Sequence, residues 1–170
     1  PYPRYDQWQH SINVAENTID GSLTHHDLVR PNYGHRIVFP ALTTALVAWV
    51  ADWNLTVEVG IGFVALVGAY AMVLLTVQRV YGRGILAMAA VGAVLMFSLR
   101  HHTNFVWSFN TLQWFYMSFG IAATTAALFA GPVGYRSVVL MALSTGFAIF
   151  SSGGGLVLIP LVTAFLWFRG

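Results

Sequence analysis

From residue 38 to residue 168 one apolar run follows another, broken by little more than single arginines, glycines and short polar clusters. A helix needs roughly 20 apolar residues to cross about 30 Å of hydrocarbon. Residues 55–80 and 111–130 have that length, and 84–99, 137–150 and 155–168 are shorter but nearly uncharged. The pattern predicts an all-α membrane protein, a polytopic helical bundle of about five spans. Composition points the same way, because 57% of the residues are hydrophobic and 8% charged, whereas a soluble domain carries about 25% charged residues. Such a chain is not disordered, and catalysis in free solution is disfavoured. With eight arginines, six acids and no lysine there is no dense basic stripe for nucleic acid, so no nucleic-acid partner is expected. The absence of cysteine rules out disulfides and thiolate chemistry.

The run 38–51 differs from the other five. At 1.5 Å rise per residue it covers only about 21 Å, and Pro40 sits where a first-turn proline is tolerated. It is read as an interfacial helix, 38–52, that dips into the membrane without crossing. Arginines in short loops favour the cytoplasmic side. With five crossings, Arg79, Arg83, Arg136 and Arg169 all fall inside, while residues 1–37, 52–54, 100–110 and 151–154 face out. A sixth crossing would split the arginines between the two sides. The expected organisation is one membrane domain over 1–170, incomplete at both ends. It has an extracytoplasmic first loop, 1–37, and a transmembrane bundle, 55–169, in a bacterial cytoplasmic membrane.

Seven of the fourteen charged residues lie within the first 36 positions. At 100° per residue Trp8, Ile12, Ala15 and Ile19 fall on one side of a helix, and Asp6, His10, Asn13, Asn17 and Asp20 on the other. This predicts an N-terminal surface helix ended by Gly21. Pro31-Asn32-Tyr33-Gly34 is a turn signal that delivers the chain to the interfacial helix. Trp49 and Trp53 suit the headgroup region.

Several residues bear on chemistry. Asp6, at the membrane edge, suits a general base acting on a hydroxyl or amine, although from spacing alone a helix cap or a solvated surface acid is the plainer reading. Arg30, His35 and Arg36 lie in a stretch leading into a helix N-terminus, where guanidinium forks and the partial positive charge favour phosphate. Snorkelling to lipid headgroups is the plainer role for Arg36. Arg100, His101, His102 and Asn104, followed by Phe105, Trp107 and Phe109, put polar and aromatic groups at the outer mouth. That cluster fits a sugar or polyprenyl headgroup, and it fits also an aromatic belt with incidental histidines. His25, His26, His35, His101, His102 and Asp27 follow no strong metal-binding spacing, so no metal ligand is assigned. Glu58 lies one turn into the first long span, where a hydrated structural carboxylate and a catalytic one are both open. Residues 151–155 lack the lysine of a phosphate loop and read as a flexible turn. Gly60, Gly62, Gly68 and Gly92 read as close helix contacts.

This order of features resembles the GT-C superfamily, multi-pass glycosyltransferases that use polyprenyl-phosphate-linked sugars. The features are an acid ahead of a surface helix, a proline-bearing helix that does not cross, a span ending near Gln78-Arg79-Val80-Tyr81-Gly82-Arg83, and a return span ending in an outer polar cluster. More narrowly, residues 31–40, 104–110 and 151–156 are similar to bacterial membrane proteins of GT-C type that carry Asn-Glu-His-Arg before Phe-Pro, a later Glu-Asn-x-x-Trp-Gly-Phe-Gln, and a Ser-Gly turn. The resemblance implies sugar transfer from a lipid phosphate on the extracytoplasmic face. In it Asp6 matches the catalytic acid, and His35 and Arg36 match the His-Arg of the motif. Arg36 and Arg100 would hold the phosphate, with Arg30, His101 and Asn104 beside them. Tyr33-Gly34 replaces Asn-Glu, and no Glu precedes Asn104. A second carboxylate is thus missing, and a divalent cation is left open as the only cofactor. The rival readings are a lipid or solute transporter or flippase and a non-catalytic membrane scaffold.

Overall fold

The computed structural model describes residues 10–32, 36–82, 85–98, 105, 107–132 and 134–169. Every regular element among them is helical. In chain order these are α1 (Ser11–Ile19), α2 (His25–Val29), α3 (Val38–Ala51), α4 (Leu55–Tyr81), α5 (Ile85–Met96), α6 (Ser108–Phe129), α7 (Tyr135–Ile149), a 3-10 turn (Gly153–Val157) and α8 (Leu158–Arg169). Residues 85–149 supply helices at the expected places, with the ends shifted by a few residues.

Local chemistry sets the boundaries. Asn54 caps α4, its side chain accepting from the Thr56 N–H at 2.9 Å, and Glu58 in the first turn suits the positive end of the helix dipole. Gly82, at φ +70°, stops α4 while its N–H returns to the Gln78 carbonyl. Gly21 ends α1 as expected: its N–H reaches Thr18 O at 3.2 Å and the Ser22 N–H reaches Asn17 O at 2.8 Å, the paired bonds of a Schellman cap. Thr24 and Asp27 form a capping box on α2, the Asp27 carboxylate accepting from both the amide and the hydroxyl of Thr24.

α4 is the one helix among the described residues both long and apolar enough to cross a membrane. α3, α7 and the segments 87–96 and 153–168 are apolar but shorter. At 1.5 Å per residue the 27 residues of α4 extend about 40 Å. α6 is long enough, with 22 residues, but Asn110, Gln113 and Ser118 dilute its apolar character. Four of its hydroxyls are satisfied internally, Thr111, Ser118, Thr124 and Thr125 each donating to the carbonyl four residues back.

α4 and α6 share the most extensive packing, followed by α6 with α7 and α1 with α3. Small residues let the backbones approach. A Cβ on Gly62 would collide with Thr111, and one on Gly120 would lie 2.8 Å from the Ala148 Cβ. Gly68 and Gly92 abut Phe119 and Tyr70, at 3.0 and 3.3 Å. Gly60 differs from the expectation, since it faces open space. Two steps along a helix turn a residue by about 200°, so Gly60 and Gly62 cannot serve the same contact.

Two further expectations are corrected. The inner face of α1 consists of Ser11, Val14 and Ala15 with His10, whereas Ile19 is exposed. The face is set by α3, whose Ala41 and Ala45 pack on Val14 with Leu23 and Leu28 alongside, and not by apolar periodicity alone. Residues 151–155 are a packed turn, with Ser151, Ser152 and Gly155 buried and Gly155 lying against the Ala148 backbone.

Candidate functional site

Of the residues singled out in the sequence, Asp6, His35, Arg100, His101 and Asn104, together with His102, lie outside the described residues. Arg36 is exposed and stands two residues before the first residue of α3. The entry to that helix is fixed from two sides. The Phe39 N–H donates to the Phe150 carbonyl at the end of α7 at 3.2 Å, and the Phe39 and Phe147 rings lie 4.5 Å apart. Thr43 donates to the Phe39 carbonyl at 3.0 Å, so the 2.8 Å contact with Tyr116 of α6 is a bond donated by the tyrosine. α3 is thereby held against α6 and the end of α7, with Arg36 at its head.

Arg30 ends α2 and is half-buried. It lies close enough to His10 to influence its ionisation, and so does Asp27. His10 is 2% exposed and neither ring nitrogen has a hydrogen-bond partner. Its pKa is lowered to about 4, first by burial and then by the Arg30 charge, with Asp27 opposing. This imidazole is neutral at pH 7. Asp27 is held below the usual carboxylate range by its bonds from Thr24.

Glu58 is a buried acid with no exposed surface and is therefore not the hydrated carboxylate that was one expectation. The Trp53 indole N–H donates to Glu58 Oε1 at 3.2 Å. The hydroxyls of Thr44 on α3 and Ser108 on α6 approach the same carboxyl. Even so, Oε2 has no partner with full hydrogen-bonding geometry. Asp52 and Trp53 reach this arrangement through consecutive left-handed conformations, φ 48° and 53°. For L-residues that conformation costs roughly 1–2 kcal/mol each, and Trp has no local hydrogen bond of the kind that eases it for Asp. The strain sits where the chain must turn from α3 into α4 within three residues and still aim the indole at Glu58.

The carboxyl thus ties α3, α4 and α6 together and keeps one oxygen available. The sequence signal for it was the lone acid within an apolar run. Its partners were not legible, because Thr44 and Ser108 come from other helices and Trp53 depends on a backbone conformation its residue type disfavours. Among the described residues no group of three or more His, Asp or Glu side chains gathers to hold a metal. The scan against known families, the search of curated proteins and the search of solved structures each returned no match.

Proposed function

We propose that the chain is part of a polytopic membrane glycosyltransferase of GT-C type, with five spans, that moves a sugar from a polyprenyl phosphate to an acceptor on the extracytoplasmic face of a bacterial membrane. In this reading Asp6 removes the acceptor proton. Arg36 binds the phosphate, with Arg100, Arg30, His35, His101 and Asn104 contributing to donor recognition. Departure of the lipid phosphate then balances formation of the new glycosidic bond, and the acceptor proton ends on the Asp6 carboxylate.

The observation that carries the proposal is Arg36, an exposed guanidinium at the head of a short helix anchored by Phe39 and Thr43 to its neighbours. A guanidinium and a helix N-terminus reinforce each other toward an anion, and the positive-inside bias leaves an outer arginine in need of one. The test is sugar transfer and lipid-donor binding by variants of the intact membrane protein. Asp6→Asn should abolish transfer while donor binding persists. Arg36→Ala should weaken donor binding about tenfold or more, as expected for loss of about 1.5–3 kcal/mol from a hydrogen bond to a charged group, and Arg136→Ala should not. Turnover retained in Asp6→Asn rejects the base, and equal effects of the two arginine variants reject the site.

A further inference from the structure

A groove of about 560 Å³ runs between α4, α6 and α7. Its walls are apolar, formed by residues such as Met72, Ala123, Ala127 and Leu143. Among the described residues the one polar wall residue besides arginine is Ser144, whose hydroxyl donates to the Leu140 carbonyl at 2.7 Å and lies 2.8 Å from the Thr124 hydroxyl. One end is stopped by aromatic rings: Phe39 and Phe119 both pack on Phe147, with centroids 4.5 and 6.1 Å away. The other end carries Arg79, in the last turn of α4 and exposed.

Length and charge identify an occupant. From Phe119 to Ala130 the groove follows α6 for eleven helical steps, about 16 Å at 1.5 Å each. Along α6 that is one leaflet's half of a hydrocarbon core about 30 Å thick, while α4 from Met72 to Arg79 and α7 from Leu140 to Phe147 wall about 10 Å of it. Charge complementarity supplies the headgroup. No acidic residue occurs anywhere after Glu58, whereas five of the eight arginines do. Glu58 itself lies 21 steps back along α4 from Arg79, about 31 Å away. Residues 59–170 thus offer the Arg79 guanidinium no carboxylate to pair with, and it stands at the mouth of an apolar slot one acyl chain deep.

We infer that this groove binds one anionic lipid of the leaflet at the Arg79 end, its acyl chain lying between α4, α6 and α7 and its phosphate on the Arg79 guanidinium. The inference rests on the membrane reading of the bundle and not on sugar transfer, since Arg79 and Arg36 are at opposite ends of the helices. A guanidinium fork suits phosphate oxygens, and the chain leaves the groove no exposed polar wall group to bury.

The purified protein in detergent, analysed by native mass spectrometry with dioleoyl phosphatidylglycerol or dioleoyl phosphatidylcholine, tests it. One phosphatidylglycerol should remain bound per chain, at about tenfold higher occupancy than phosphatidylcholine. Arg79→Gln should bring the two lipids to the same level, and Arg136→Gln, outside the groove, should leave the preference. Ala123→Phe should reduce both lipids by filling the slot. Independently of that variant's folding, the native chain should hold dodecyl phosphate better than butyl phosphate. Equal retention of the two lipids by the native chain, a preference that survives Arg79→Gln or falls equally in Arg136→Gln, indifference to chain length, or a groove closed to lipid by another segment of the same protein would overturn the inference. Retention in the membrane pellet after alkaline carbonate washing tests the membrane reading separately, so loss of lipid selectivity with retention intact counts against the groove alone.

Discussion

Glu58 and His10 are buried polar side chains with opposite problems. A carboxyl in an apolar interior needs hydrogen-bond partners, and Glu58 has them from three directions, through Trp53, Thr44 and Ser108. Glutamine keeps the shape and the acceptor for the indole, so Glu58→Gln should change stability by less than about 1 kcal/mol. Glu58→Leu removes the acceptor of the Trp53 indole N–H, at about 1–3 kcal/mol for a buried group left unsatisfied. Thermal unfolding in detergent separates these outcomes, and equal melting temperatures would mean that the node does not hold the helices. Among the described residues His10 has no hydrogen-bond partner for either ring nitrogen, and its pKa falls from 6.5 to about 4 because burial and Arg30 both resist the charged form. Between those values the unfolded chain binds more protons than the folded one, so stability rises with pH across this window. It should be full above about pH 6.5 and fall by up to roughly 3 kcal/mol as pH drops toward 4, at about 1.4 kcal/mol per pKa unit. Replacing His10 with Leu should flatten that dependence. An unchanged profile would assign it elsewhere; the loss of the Asp27 cap enters only at lower pH, through a carboxylate whose pKa is already depressed.

At the scale of elements, glycine position decides more than glycine content. Gly62 and Gly60 share a helix and a composition, but only Gly62 faces the α6 backbone at Thr111. Gly62→Ala should destabilise by about 1–3 kcal/mol, the usual cost of overpacking. Gly60→Ala, with open space around it, should be neutral or stabilise by up to about 1 kcal/mol through helix propensity. A melting comparison of the two variants checks the assignment, and the opposite order would mean that α4 is rotated in its seat. Sequence periodicity could not tell them apart, since nothing in 55–81 marks which stripe meets α6 when nearly every face is apolar. The same difficulty displaced the inner face of α1. Apolar spacing selects Ile12, Ala15 and Ile19, yet the small residues of α3 accept Val14, and Ala15 and His10 are buried with it. By contrast the end of α1 was readable, because Gly21 takes the left-handed turn that favours glycine.

For the whole molecule, the apolar runs between short polar breaks sufficed to mark the helices, and the charges suffice to order them across a membrane if α3 does not cross. What the runs could not reveal is how α3 sits, because its 14 residues are too few for a perpendicular span and its contacts come from residues far along the chain. Phe39 meets the end of α7, Thr43 meets α6, and Val14 covers Ala41 and Ala45. α3 is thus engaged by α1 on one flank and by α6 and the end of α7 on the other, and under the proposed topology α4 is the first crossing after it. That arrangement puts Ser22, exposed behind α1, on the side opposite Tyr81, 70% exposed at the far end of α4. Native cysteine is absent, so single substitutions report without background. Tyr81 is a better reporter than Gly82, whose positive φ disfavours any side chain. An impermeant thiol reagent applied to intact cells should label Ser22→Cys and spare Tyr81→Cys until the membrane is opened. Labelling of both from outside would mean that α4 does not cross, and labelling of Tyr81→Cys alone would mean that the orientation is inverted, in which case the arginines at 79 and 136 face outward and the positive-inside bias fails for this chain.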